Sequence, residues 1–175
     1  MSLRHLTRSA IVLALLTAAL PAAAARLEVQ AGRSYTNSHG ANAAFVEAVF
    51  APQPLGNTRL TWSPDVSLGW IDGRRMAANN DGDRYTTRDS VALLAAGARF
   101  HLGDAGDWYQ PLFFSEQLAA TNHTTHALSS HYQFVSTLGW QAKHFSVAIR
   151  HISNGGLHRP NTGETMALVG FAFDI

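Results

Sequence analysis

A membrane-spanning antiparallel β-barrel of eight strands, with its apolar side chains turned outward, is the fold class that this sequence predicts. Three observations lead to it. An apolar N-terminal segment reads as an export signal, eight stretches of period-two alternation follow, and the connections between them alternate in length.

The export signal comes first in the chain. Arg4, His5 and Arg8 precede an apolar run from Ala10 to Leu20, and Pro21 with a string of alanines then supplies a small-residue processing site after Ala25. Residues 1–25 accordingly read as a secretory signal peptide, since the apolar run falls short of the about 20 residues that a spanning helix needs. Residues 26–175 form a single domain of a size suited to a small barrel or sandwich. The chain has no cysteine and a formal net charge of +1. The first fits an exported protein without disulfides, and no basic run interleaved with aromatics points to nucleic acid as a partner.

The strands follow in order. Leu27, Val29 and Ala31 alternate with Glu28 and Gln30, and Ala44, Val46, Ala48 and Phe50 alternate with Phe45, Glu47 and Val49. In the third strand Leu60, Trp62, Val66, Leu68 and Trp70 share one parity, opposite Thr61, Ser63, Asp65 and Ser67. The fourth runs from about Val91 to His101, with Ala92, Leu94, Ala96, Ala98 and Phe100 opposite Arg99. The fifth, Trp108 to Leu118, is interrupted by Glu116 and Gln117. The sixth sets Tyr132, Phe134, Leu138 and Trp140 against Gln133 and Thr137, the seventh sets Phe145, Val147 and Ile149 against Ser146, Ala148 and Arg150, and the eighth sets Ala167, Val169, Phe171 and Phe173 against Met166, Leu168 and Gly170.

A soluble barrel or sandwich and a membrane barrel both use such strands, but the minority parity separates them. Glu28, Glu47, Asp65, Arg99, Gln133 and Arg150 occupy mid-strand positions on six strands, with both signs of charge. A closed eight-stranded barrel has an interior only wide enough for side chains, which these residues fill as a paired polar plug. Trp70, Trp108 and Trp140 then fit an interfacial aromatic girdle. The connections agree: Arg33–Asn42, Asp72–Arg88, Ala119–Ser130 and Asn154–Gly163 are predicted to face the exterior, and the shorter Ala51–Asn57, Leu102–Asp107 and Gln141–Lys143 the periplasm.

The chemistry concentrates at the exterior end of the seventh strand. His151 and Ser153 share a face, roughly 6.5–7 Å apart along the backbone, which suits a base beside a nucleophile. Their parity is that of Phe145, Val147 and Ile149, so the pair lies on the wall that meets lipid. The run Arg150-His151-Ile152-Ser153-Asn154-Gly155-Gly156-Leu157, then Pro160-Asn161 and Gly163-Glu164, resembles the signature region of the lipid A 3-O-deacylase (PagL) family of outer-membrane esterases. The detailed resemblance covers the last 25 or so residues. It implies a serine esterase without cofactor or metal, acting in a Gram-negative outer membrane on the ester-linked 3-O acyl chain of lipid A. It further implies His151 as general base, Ser153 as nucleophile, a glutamate on the next strand as the group that orients the imidazole, and Asn154 in oxyanion stabilisation, with the backbone of the Asn154–Gly155–Gly156 turn as an alternative donor.

The chain departs from the family pattern at the acid. There the glutamate has the outward parity of the last strand, whereas here that parity falls to Thr165, and Glu164 faces inward if the strand is regular. A bulge or the turn itself would bring Glu164 round to His151, and Glu164 is the expected orienter. Among the predicted exterior loops, Arg74, Arg75, Arg84, Arg88 and Arg159 are candidate contacts for lipid A phosphates. His123-x-x-His126 lacks a third metal ligand, and Asn79–Asp83 lacks the closing acid of a calcium loop. Two other readings stand beside the deacylase: an outer-membrane phospholipase-like esterase, whose barrel is larger, and a noncatalytic structural barrel.

Overall fold

The computed structural model describes residues 24–36, 39–75 and 87–175. Of the expected signal peptide, only Ala24 and Ala25 fall within that range. Eight long strands, β1 (Ala24–Thr36), β2 (His39–Phe50), β3 (Leu60–Ile71), β4 (Val91–Leu102), β5 (Leu112–Thr121), β6 (Tyr132–Gln141), β7 (Phe145–Ser153) and β8 (Glu164–Phe173), pair antiparallel with their sequence neighbours. β1 also pairs with β8 from Leu27↔Phe173 to Tyr35↔Thr165, which closes the ring. Gln53–Pro54 adds a short pairing to β3, and Arg74–Arg75 pairs with Thr87–Arg88 above the barrel.

The two faces of the wall differ as the alternation predicts. Leu138 is 62% exposed and Phe171 64%, whereas Arg99, Arg150 and Glu47 are each 0% exposed. This is a polar cylinder in an apolar sleeve, the arrangement of a barrel whose outer solvent is lipid. Trp70 lies at the upper end, where β7 finishes, and Trp62 and Trp140 lie at the lower end. Trp108 sits in the turn below β5 rather than on a strand.

The interior is held by a charge network. Glu47 accepts from Arg99 Nη2 at 2.9 Å and from Arg150 Nη2 at 2.6 Å, and Glu28 accepts from Arg99 Nη1 at 2.9 Å. Gln30 Nε2 donates to both carboxylates, and Arg150 Nε donates to Thr137 Oγ1. The guanidinium of Arg99 stacks 4.1 Å from the Phe113 ring centre, and that of Arg150 stacks 4.4 Å from Phe45. Each glutamate thus finds its partners across the lumen. That is why charges can be kept in a space with no room for bulk water.

Two expectations about element boundaries change. The fifth strand is Leu112–Thr121 instead of Trp108–Leu118, because Gly103 and Gly106, with φ of 109° and 102°, keep residues 103–111 in a turn. The first upper connection is far shorter than Arg33–Asn42, since Arg33 pairs with Asn42 and Thr36 with His39. The other three upper connections, 72–90, 122–131 and 154–163, exceed each lower one, 51–59, 103–111 and 142–144.

The network generates a stability prediction. Replacing Arg99 by Leu removes one of the two arginines on Glu28, which keeps Arg26, and one of the two on Glu47, which keeps Arg150, and is expected to cost about 3 kcal/mol. Denaturant unfolding in detergent micelles measures this, and an unchanged midpoint for Arg99→Leu contradicts the assignment.

Candidate active site

The upper ends of β7 and β8 place the motif residues. Register pairs His151 with Thr165 and with Ser136, and Ser153 with Phe134. His151 is exposed on the outer wall and Ser153, two residues above it, is half-buried. His151 Nδ1 and Thr165 Oγ1 are hydrogen-bonded at 2.9 Å. The other edge of the ring packs against Gly163, where a β-carbon would stand 2.6 Å from Cε1 and 3.0 Å from Nε2. Gly163 also has a φ of 69°, so both its backbone and its missing side chain suit the imidazole's seat. Among the described residues no hydrogen bond joins Ser153 to His151. The two share a face, and the strand brings them no closer than that.

Glu164 does not stand beside His151. It pairs with Ile152, an inward residue, and is buried, accepting from Ser34 Oγ at 2.5 Å and from Arg74 Nη2 at 2.8 Å. No bulge intervenes, since β7 and β8 keep continuous register from Phe145↔Phe171 to Ile152↔Glu164. The expected orienter is therefore an anchor inside the barrel. Thr165 takes its place on the wall, and brings a hydroxyl where an acid was expected.

Asn154 likewise faces inward, fully buried. Its Nδ2 donates to Ser129 Oγ and to the His158 carbonyl, both at 2.9 Å, while its Oδ1 accepts from the Gly156 N–H at 3.0 Å. Both amide hydrogens are thus committed to fixing the turn and fastening it to the 122–131 loop. Gly155 and Gly156 follow with φ of 66° and 79°, a pair of left-handed residues that swings the chain back over Phe134.

The arginines separate. Arg74, whose side chain is 6% exposed and bonded to Glu164, is turned into the barrel and away from any external phosphate. Arg159 is exposed in the 154–163 turn, Arg75 and Arg88 are placed by backbone pairing alone, and Arg84 and the Asn79–Asp83 stretch lie outside the described residues. His123 Nδ1 bonds the Ser90 carbonyl at 3.3 Å. No group of three metal-ligating side chains converges among the described residues.

Below the His151–Thr165 pair the outer wall is grooved. A depression of about 440 Å³ runs between Leu138, Val147, Ile149 and Val169, and the small side chains of Ala31 and Ala167 leave it open. It begins one outward residue beneath His151 on β7 and beneath Thr165 on β8. Two further outward groups continue the row on the other side. Ser136 is opposite His151, Glu116 is opposite Ser136, and Ser136 Oγ donates to Glu116 Oε2 at 2.6 Å. The sequence signals neither Ser136 nor the role of Gly163, which enters only as part of the motif, and Glu116 reads there as a break in a pattern. Parity counted along β5 and β6 sets Glu116 and Ser136 on the outward face that His151 shares.

Residues 110–174, which carry β5 to β8, match the family model described as Lipid A 3-O-deacylase (PagL). Among solved structures, the crystal structure of the outer membrane enzyme PagL is similar with a TM-score of 0.57 at 19% identity, covering 86% of this chain and 100% of that one. Ail, the attachment invasion locus protein of Yersinia pestis, gives a TM-score of 0.42 at 10% identity over 85% of this chain and 96% of that one. No curated protein sequence matches the chain. The likeness to the PagL structure is one of fold, the same closed eight-stranded barrel.

The seat of the imidazole can be tested directly. Gly163→Ala is expected to push the His151 ring off its contact with Thr165, moving the His151 Cε1–H resonance in micelles while the barrel stays folded. An unmoved resonance contradicts the packing.

Proposed function

We propose that this chain is an outer-membrane lipid A deacylase, which hydrolyses the ester-linked 3-O acyl chain with Ser153 as nucleophile and His151 as base. The observation that carries the reading is the convergence, on the lipid-facing wall, of His151 held by Thr165, Ser153 on the same face, and an apolar groove starting just below them. The family match over residues 110–174 covers these strands and supports the substrate class. An eight-stranded barrel has no lumen for an acyl chain, and this one is filled by Glu28, Glu47, Arg99 and Arg150. The wall is the place left for a lipid to bind.

In this reading residues 1–25 direct export and are removed, and residues 26–175 form the barrel of a Gram-negative outer membrane. A lipid A molecule of the outer leaflet lays its 3-O acyl chain in the groove, and Arg159 meets a phosphate of the headgroup. His151 takes the Ser153 proton as Oγ attacks the ester carbonyl, and the tetrahedral oxyanion forms at the turn. Gly156 N–H is already bonded to Asn154 Oδ1, which leaves the Gly155 N–H as the donor for that oxyanion. His151 returns the proton to the departing sugar oxygen. Water, activated by the same imidazole, then cleaves the acyl-serine to the free hydroxy fatty acid.

Thr165 fixes the ring in this scheme. Its hydroxyl holds Nδ1, and in the tautomer where Nδ1–H donates to Oγ1 the ring presents Nε2 as acceptor, the orientation a triad acid enforces elsewhere.

Mass spectrometry of lipid A from cells expressing the chain tests the proposal. Loss of one hydroxyacyl chain is expected, and Ser153→Ala or His151→Ala should abolish it. Unchanged lipid A with phospholipid breakdown would favour the phospholipase-like reading, and neither change a structural barrel. Thr165→Val is expected to lower turnover about 10- to 100-fold, the worth of one hydrogen bond to a charged group. Glu164→Gln should keep most activity, and Ala167→Phe should raise KM for long acyl chains by filling the groove.

A further inference from the structure

We propose that Glu116, acting through Ser136, supplies the negative charge that balances His151 during turnover, and so is a positioning residue of the deacylase site. The inference rests on the proposed function and deepens it. Its starting point is an imbalance. Thr165 directs the imidazole but carries no charge, and the one glutamate beside it in sequence, Glu164, is turned inward onto Arg74 and Ser34. When His151 accepts the serine proton it becomes a cation on an apolar wall, flanked by Ile149 and Leu138. A charge formed there without a counter-charge raises the barrier.

Glu116 is the only carboxylate that faces outward on the described strands. A mid-strand acid on the lipid side of a barrel is costly to keep, and such groups are retained for function. Among the described residues its side-chain partner is Ser136 Oγ at 2.6 Å, a length in the range of a hydroxyl bonded to a carboxylate. Ser136 in turn sits directly opposite His151. The three strands β5, β6 and β7 therefore carry Glu116, Ser136 and His151 in one continuous row on the outer face. Neighbouring strands lie about 4.8 Å apart, so the row brings the carboxylate's charge near the imidazole, with only Ser136 and apolar side chains between them.

On the opposite side the outward Arg33 of β1, which pairs with Ala167 of β8, donates from Nη1 to Asn42 Oδ1 on β2 and is not a member of the row. Along it the order is acid, hydroxyl, imidazole, hydroxyl, with Thr165 closing the far end.

The test compares Glu116→Gln, Glu116→Asp and Ser136→Ala, purified in detergent, with lipid A as substrate and heat-modifiable migration on gels as the check on folding. Glu116→Gln keeps size and hydrogen bonding and removes only charge. It is expected to lower kcat about tenfold with KM unchanged, Glu116→Asp to restore part of the loss, and Ser136→Ala to lower kcat in the same direction. The double variant Glu116→Gln/Ser136→Ala should be no slower than the worse single one, as for groups acting in series. Wild-type kcat in folded Glu116→Gln overturns the inference, and so does a change confined to KM, which would make Glu116 a substrate contact. Should Glu116→Gln not fold, a normal kcat in Ser136→Ala overturns it equally. A wild-type protein whose lipid A cleavage is absent, or is untouched by Ser153→Ala, would instead refute the deacylase reading.

Discussion

Glu47 joins Arg99 to Arg150 across the lumen, and that bridge fixes which face of β2, β4 and β7 turns inward. A slip of one residue would exchange the two faces of a strand, and in β4 or β7 it would carry Arg99 or Arg150 into lipid. For a residue at mid-membrane that costs about 2–4 kcal/mol, before the loss of the ion pair is counted. Closure adds to the constraint, because each strand is fixed by a neighbour on both edges. β8 is held between β7 and β1 over most of its length. It has no freedom to rotate Glu164 outward.

That constraint divides the upper rim into two sets of residues taken from the same short stretch. Ile152, Asn154 and Glu164 point in, where they tie the 154–163 turn to the 122–131 loop and β8 to the hairpin carrying Arg74. His151, Ser153 and Thr165 point out. The inward set gives the outward one its rigidity. Because the turn is fastened from inside the barrel, the wall side of the rim is left clear for a lipid to approach.

Most of the barrel could be read from the chain itself, since a strand facing two different solvents records both in a two-residue period. Leu68 against Ser67 and Ile149 against Arg150 are clear examples. The signal failed where one face did not match its solvent. Glu116 on the wall and Gln117 beneath it made β5 look broken, and the polar residues from Arg33 to Asn42 resembled a loop although they pair as strands. At the site, the spacing of His151 and Ser153 was legible because it lies within one strand. The commitment of Asn154 and the seat at Gly163 were not, since both depend on contacts with segments remote in sequence or folded back by a turn. Thr165 falls between these cases. Its parity pointed to His151 from the start, and only the expectation of an acid pointed elsewhere.

A hydroxyl in that position has a physical logic of its own. Position 165 lies on the wall beside Ala167 and Val169, so a carboxylate there would face acyl chains and be expensive unless paired. Threonine orients an imidazole with a neutral hydrogen bond, and its methyl group matches the apolar surroundings. What it cannot do is compensate an imidazolium. In the proposed site, a row that continues from His151 through Ser136 to Glu116 takes direction and charge from opposite sides of the ring, and the acid stands two strands away from His151. The carboxylate of a triad has to meet two demands in one residue. Here the closed wall, by turning Glu164 inward, separates them.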